Sequence, residues 1–266
     1  MATHSFKDQR VWITGASSGI GEALAQAFAI QGARVLLSAR RESELERVRQ
    51  SLPHPERHAV VPLDLTDPDQ ITAAAERVQR EFGGVDILVN NGGISQRSRV
   101  ADTELAVDRR VMELNYFGAI AMAKAVLPQM LAQGGGRMVV ISSLVGELPT
   151  PMRSAYCASK HALHGWFDAL RAEEHDQGLR VTMVMPGFVR TNVSINAITA
   201  DGGKHGIMDP HQDAAMAPEV CAARIIRAVQ QDREQVIIGG REVVGIYLKR
   251  WFPALYRKVI RRIKTT

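Results

Sequence analysis

Apolar positions fall along this chain in two alternating rhythms, short and nearly unbroken runs on one hand and longer stretches at helical spacing on the other. The runs read as strands over residues 10–14, 33–38, 58–63, 85–89, 137–141, 180–185 and 235–238. Between them lie helical patterns: one carrying Leu24, Ala27 and Phe28, one from Glu42 to Gln50, and one capped by Thr66 or Asp67 that Gly83-Gly84 stops after Phe82. A long helical stretch follows the fourth strand, with Asn115 opening its second, almost uncharged part, another helix carries Tyr156 to about Gln177, and a last one spans Val220 to Gln230. Strands this apolar are buried on both faces, so the alternation predicts an α/β fold: one doubly wound parallel sheet with helices on both faces.

In such sheets ligands gather outside the carboxyl ends of the strands, and the polar residues of this chain cluster there. The first strand breaks into Gly15-Ala16-Ser17-Ser18-Gly19-Ile20-Gly21 before a helix. Glycines in a strand-to-helix turn let backbone approach a ligand closely, and the N–H groups and dipole of the helix start attract a pyrophosphate. The second strand ends at Ala39-Arg40-Arg41 with no acidic residue over 38–41. Arginine there suits a 2′-phosphate, so NADP is expected over NAD, unless the two arginines only open a solvated helix. Asp64-Leu65 and Asn90-Asn91-Gly92-Gly93 close the third and fourth strands, as ligand contacts or as ordinary turn polarity.

The fifth strand delivers Ser142-Ser143, and the sixth closes in Pro186-Gly187-Phe188-Val189-Arg190-Thr191. Tyr156 and Lys160, four apart, share one helix face one turn apart. The ammonium should favour the phenolate and draw the tyrosine pKa down toward the range of a general acid or base. The same spacing also arises by chance on exposed helices; what favours chemistry here is convergence on one sheet edge.

Length and composition add bounds. A chain of 266 residues, 45% hydrophobic and 23% charged, suits a soluble globular protein. Cys157 and Cys221 offer neither a disulfide framework nor metal-site spacing, and the first strand begins too early for a leader, so a cytoplasmic protein without metal is expected. Of the net charge of +5, seven basic residues lie beyond Tyr247 with no acidic ones, which leaves the body near −2. The basicity therefore belongs to the tail, and nucleic acid is not the expected partner. One domain is expected over 1–246, with a substrate lid over 191–217 and a basic, aromatic tail over 247–266. The tail suits a helix lying on an anionic membrane surface, or an apolar face docked on its own domain or on a second subunit.

Taken together, Thr14-Gly15 with Gly19-Ile20-Gly21, Asp64, Asn90 to Gly93, Asn115, Ser143, Tyr156 with Lys160, and Pro186-Gly187 with Thr191 resemble the short-chain dehydrogenase/reductase family over nearly the whole chain. Gly92 departs from the family's usual alanine. The lid and tail are similar to a membrane-associated branch that includes an acyl/alkyl-dihydroxyacetone-phosphate reductase, whose N-terminal anchor is not expected here. The resemblance implies a single Rossmann-type domain with a seven-stranded parallel sheet, assembled as a homodimer or homotetramer. It implies hydride transfer between NADP(H) and a carbonyl or secondary alcohol, on small-molecule substrates that are lipid-like or bulky. By the family's pattern Tyr156 is the acid/base and Lys160 its tuner and ribose anchor. Ser143 binds the substrate oxygen, and Asn115 supports a water leading protons to Lys160. Cofactor contacts are expected from Gly15, Ser17, Ser18, Gly19, Ile20, Gly21, Arg40, Asp64, Leu65, Asn91, Tyr156, Lys160, Pro186, Gly187, Val189 and Thr191. The remaining histidines, His161 and His164 among them, are expected to pack or face solvent. A non-catalytic NADP-binding protein or a membrane-surface scaffold is the alternative, although neither would need the phenol.

Overall fold

A computed structural model describes residues 5–209 and 214–262. Residues 210–213 of the expected lid and 263–266 of the tail lie outside the described residues. Seven strands, β1 (Arg10–Thr14), β2 (Arg34–Ser38), β3 (Ala59–Val60), β4 (Ile87–Asn90), β5 (Gly136–Ile141), β6 (Leu179–Pro186) and β7 (Gln235–Ile238), form one sheet in the order β3-β2-β1-β4-β5-β6-β7. Every pairing is parallel.

Alternation along each strand explains the two-sided core. Val11, Ile13, Val35, Leu37, Ile87 and Val89 face one side, where α1 (Gly19–Ile30), α2 (Glu42–Ser51) and α8 (Pro218–Gln230) pack with Leu24, Phe28, Leu45 and Ile225. Trp12, Leu36, Leu88, Met138 and Val140 face the other. That side is covered by α3 (Pro68–Phe82), α5 (Gly118–Ala132) and α7 (Ser154–Glu174), through Ile71, Met122, Val126 and Phe167. Each fully buried branched or aromatic side chain contributes about 1.5–3 kcal/mol. The buried Trp12 indole donates to Ser38 Oγ at 2.8 Å, so it leaves no orphaned donor.

Three elements carry detail that the pattern alone did not give. The third strand shrinks to two residues, although Val61 and Leu63 still donate to the carbonyls of Leu37 on β2 and of Ala39 just beyond it. The stretch around Asn115 is one continuous helical rod, α4 (Leu105–Met112) running into α5, interrupted by a π-helical turn over Glu113–Phe117. The tail is two helices, α9 (Val244–Trp251) and α10 (Pro253–Ile260). The break falls at Phe252 because a residue before proline is pushed out of the helical region. Asp67 rather than Thr66 caps α3, accepting from the N–H groups of Asp69 and Gln70.

The strand order reverses between β1 and β4. Neighbouring crossovers leave in opposite directions there, opening a crevice at the carboxyl edge.

Candidate active site

A cleft of about 740 Å³ opens at this edge. Among the residues expected from sequence, Gly15, Ser17, Ser18, Gly19, Ile20, Arg40, Asp64, Leu65, Asn91, Ser143, Tyr156, Lys160, Pro186, Gly187, Val189 and Thr191 line it. Gly21 and Asn115 stand behind its wall, and each has a clear positional reason.

The glycine turn is built for close backbone approach. Gly15 and Gly19 have φ near +63° and +60°. A Cβ on Gly15 would lie 2.8 Å from the Gly92 Cα, and one on Gly21 would collide with the Gly15 carbonyl and the Asn91 amide. Asn91 locks the turn by donating from Nδ2 to the carbonyls of Thr14 (3.0 Å) and Gly15 (3.1 Å). Thr14 Oγ1 in turn accepts from the N–H groups of Asn91 and Gly92, so β4 holds the exit of β1. Ser18, at the start of α1, makes no side-chain cap, which leaves the first-turn N–H groups for an anion. Arg40 and Arg41 stand exposed at the end of β2 on the rim, with no ion pair among the described residues. Arg47, by contrast, is held by Glu22 and Glu44. The bare cradle, the uncapped helix start and two available guanidinium groups fit a dinucleotide phosphate.

Asp64 serves partly as turn polarity, since its carboxylate accepts from the N–H and hydroxyl of Thr66. The departure at Gly92 has a local reason. A Cβ there would press on the Cδ1 of Leu65, a mobile side-chain end and not backbone.

At the inner end, Ser143 caps the short helix α6 (Leu144–Glu147), and its hydroxyl faces the Tyr156 phenol closely enough to favour the phenolate. Lys160, buried under the same helix face, lies 5.8 Å from the Tyr156 ring centroid and donates to the Ile141 carbonyl at 2.7 Å. Burial pushes the Lys160 ammonium down to about 8. Burial also pushes the Tyr156 phenol up, opposed by the Ser143 hydroxyl and by the charges of Arg97 and Arg153. The expected fall of the tyrosine pKa under the influence of Lys160 is thus reversed, because desolvation penalises both charged forms.

Asn115 sits in the π-helical turn, whose extra residue aims it inward. Its Oδ1 accepts from Ile94 N–H at 2.8 Å, and its Nδ2 donates to the Ile94 carbonyl and to Ser159 Oγ, both at 2.9 Å. It thereby ties the segment after β4 to the helix of Tyr156 and Lys160. A Cβ on Gly93 would meet Asn115 Oδ1 at 3.1 Å and Lys160 Nζ at 3.6 Å, so these groups enclose one small space.

His164 is a packing residue, as expected, with a polar role. Its imidazole bonds Ser142 Oγ at 2.8 Å and approaches Glu147, and burial lowers its pKa against the pull of that carboxylate. The segment from Thr191 lines the cleft and is anchored to the body. Ile198 exchanges backbone hydrogen bonds with Ser95 and Arg97, and Ser194, Ala197 and Ile198 are buried. Ile94 and Arg110, which the sequence left unmarked, also line the cleft, with Asn192, Asn196, Ile198 and Lys204 of the expected lid. Ile94 lies in an irregular segment and Arg110 on α4, where neither periodicity nor motif singles them out.

The model of the short-chain dehydrogenases matches residues 9–201, the span that carries the cradle, Asn115, Ser143, Tyr156 and Lys160. The chain belongs to the short-chain dehydrogenase/reductase family. The oxidoreductases of this family act on CH–OH and C=O groups with a nicotinamide cofactor. Dehydrogenase/reductase SDR family member 7B of Danio rerio is 41% identical over 264 residues, covering 96% of this chain and 85% of the relative. A dehydrogenase/reductase SDR family protein 7-like of Anopheles gambiae is 42% identical over 261 residues, covering 95% and 82%. Among solved structures, a short-chain dehydrogenase from Streptomyces avermitilis superposes with a TM-score of 0.79 at 30% identity, covering 95% of this chain and 99% of that one.

Proposed function

We propose that this short-chain dehydrogenase/reductase uses NADP(H) to interconvert a carbonyl and a secondary alcohol on a bulky or lipid-like small molecule. The observation that carries the reading is the placement of Ser143, Tyr156 and Lys160 in the same cleft as the bare glycine cradle and the unpaired Arg40 and Arg41. When bound, the cofactor supplies or takes up the hydride. The residues of the chain bind, orient and move the proton. Ser143 holds the substrate oxygen by hydrogen bonding, and the Tyr156 hydroxyl gives that oxygen its proton in reduction and takes it back in oxidation. Lys160 spends one N–H on the Ile141 carbonyl and keeps two for ribose hydroxyls. Asn115 supports a water that relays protons to Lys160.

The cradle of Gly15, Ser17, Ser18, Gly19, Ile20 and Gly21 takes the pyrophosphate, and Arg40 the 2′-phosphate. Asp64, Leu65 and Asn91 frame the adenosine half. Pro186, Gly187, Val189 and Thr191 take the carboxamide. Turnover tests the assignment: Tyr156→Phe should abolish NADPH consumption with an accepted ketone and leave NADPH binding in place, and undiminished turnover would sink it.

The tail supports a peripheral contact with an anionic membrane surface, the domain staying on the cytoplasmic side as a homo-oligomer of two or four copies. Val244, Tyr247, Trp251, Phe252, Leu255 and Val259 are exposed beside six cations on α9, α10 and the turn after them. Lys249 and Tyr256 bond the carbonyls of Glu147 and Pro149, which sets this face next to the segment that follows Ser143. No helix of the described residues is long and apolar enough to cross a membrane.

A further inference from the structure

The helix that presents Ser143 is four residues long, Leu144–Glu147. An isolated helix shorter than about a dozen residues does not hold itself in water, so the direction of the Ser143 hydroxyl is set by whatever grips α6 from outside. The hydroxyl's own bonds do not fix it. Its contacts to the Pro186 carbonyl and the Val145 N–H are long, at 3.4 and 3.3 Å.

The grip comes from the helix of Tyr156 and Lys160. His164 lies one turn beyond Lys160 on that helix and is 7% exposed. Its Nε2 stands 2.8 Å from the Oγ of Ser142, the residue before Ser143, and its Nδ1 stands 3.2 Å from the Oε1 of Glu147, the last residue of α6. One ring thus spans both ends of the short helix. Three residues earlier, His161 donates from Nδ1 to the Gly146 carbonyl at 2.7 Å. A Cβ on Gly146 would lie 3.0 Å from Ser142 Oγ and 3.1 Å from His164 Nε2, so glycine is what lets α6 settle against the imidazole.

The partners fix the tautomer. A carboxylate only accepts, so Nδ1 carries the proton and Nε2 accepts from the Ser142 hydroxyl. Burial lowers the His164 pKa, which keeps this neutral ring at neutral pH. For packing alone an apolar ring would serve; both nitrogens are instead spent on the two ends of one element.

Resting on the oxidoreductase reading above, we propose that His164 is a positioning residue for Ser143: by holding Ser142 and Glu147 together it fixes α6, and with α6 the approach of the Ser143 hydroxyl to the Tyr156 phenol. His161 adds a second hold at Gly146. The His164 ring moves no proton of the reaction, and its effect passes through Ser143.

The test is a double-mutant cycle on kcat, with 2-decanone as the ketone and NADPH as the reductant. His164→Phe keeps a ring and removes both bonds; it should lower kcat by about 10- to 100-fold and leave NADPH affinity unchanged. His164→Gln, whose amide can accept from Ser142 and donate to Glu147, should recover most of that loss. In a Ser143→Ala background the same His164→Phe change should alter kcat by less than about twofold, because the hydroxyl that it positions is gone. Equal losses in both backgrounds, or undiminished turnover in His164→Phe, overturn the proposal. Weakened NADPH binding in His164→Phe would mark a general structural role and overturns it too. Hydrogen exchange without substrate separates the clamp from the reaction. The N–H groups of Gly146 and Leu148, which donate to the carbonyls of Ser143 and Leu144, should exchange about tenfold or more faster in His164→Phe. Faster exchange beside an unmodified protein that does not reduce the ketone would leave the clamp standing and count against the oxidoreductase reading. Unchanged exchange beside intact reduction would overturn the clamp and leave that reading in place.

Discussion

The Nζ of Lys160 lies 2.7 Å from the carbonyl oxygen of Ile141, so a buried charge pins the helix of Tyr156 to the end of β5. The pin is costly at neutral pH. Burial lowers the folded-state pKa from 10.5 to about 8, so between those values the unfolded chain binds more protons than the folded one. Stability contributed through this group therefore rises with pH across that window and is lowest below about 8.

Replacing Lys160 with Met should remove turnover and yet spare the fold. The stability of the original protein relative to Lys160→Met, from urea unfolding at a series of pH values, should climb by ~3 kcal/mol between pH 7 and pH 10.5. A flat difference would mean that the ammonium is not desolvated.

Arg40 should decide the cofactor. With no side-chain partner to lose among the described residues, Arg40→Ala should leave thermal stability unchanged and weaken NADPH by about ten- to a hundredfold. Affinity for NADH should hardly move. Tighter binding of NADH than of NADPH by the unmodified protein would contradict the assignment directly.

Two glycines nearly in contact should respond in opposite ways. Gly15→Ala forces a side chain into positive φ and against the backbone at Gly92, at a cost of about 1–3 kcal/mol, and should abolish nucleotide binding. Gly92→Ala meets only the end of Leu65 and should fold and bind nearly as before. Fluorescence titration with NADPH distinguishes the two.

The tail can be tested without disturbing the domain. Trp251 and Phe252 are 68% and 63% exposed, so the double change to alanine should leave turnover of a soluble ketone intact. Cosedimentation with anionic vesicles should fall by about tenfold or more, and for the unmodified protein it should weaken with added salt. Equal binding to neutral vesicles would contradict the electrostatic part.

The layered fold was legible because strands such as Ile87–Asn90 are apolar on both faces, a pattern that only a doubly covered parallel sheet explains. The carboxyl-edge placement of Asn91, Ser143 and Pro186 followed from that topology. Less could be read where geometry depends on tertiary contact. The π-helical turn at Asn115 has no composition of its own, and the upward push on Tyr156 comes from burial that sequence spacing cannot register. Arg97 sits in an irregular segment and looks like a surface residue until Ile198 and Asp209 close over it.

The extra residue in that π-helical turn also limits how this chain can vary in length. Deleting any one position from Glu113 to Phe117 would let the rod relax into a regular α-helix and rotate one side against the other by about 100°. Asn115 would swing off Ile94 and Ser159, or Met122, Val126 and Met130 would turn away from the sheet. Changes that swap side chains are open to this segment; a single-codon loss is not, and libraries or lineages of this scaffold should show a fixed length there.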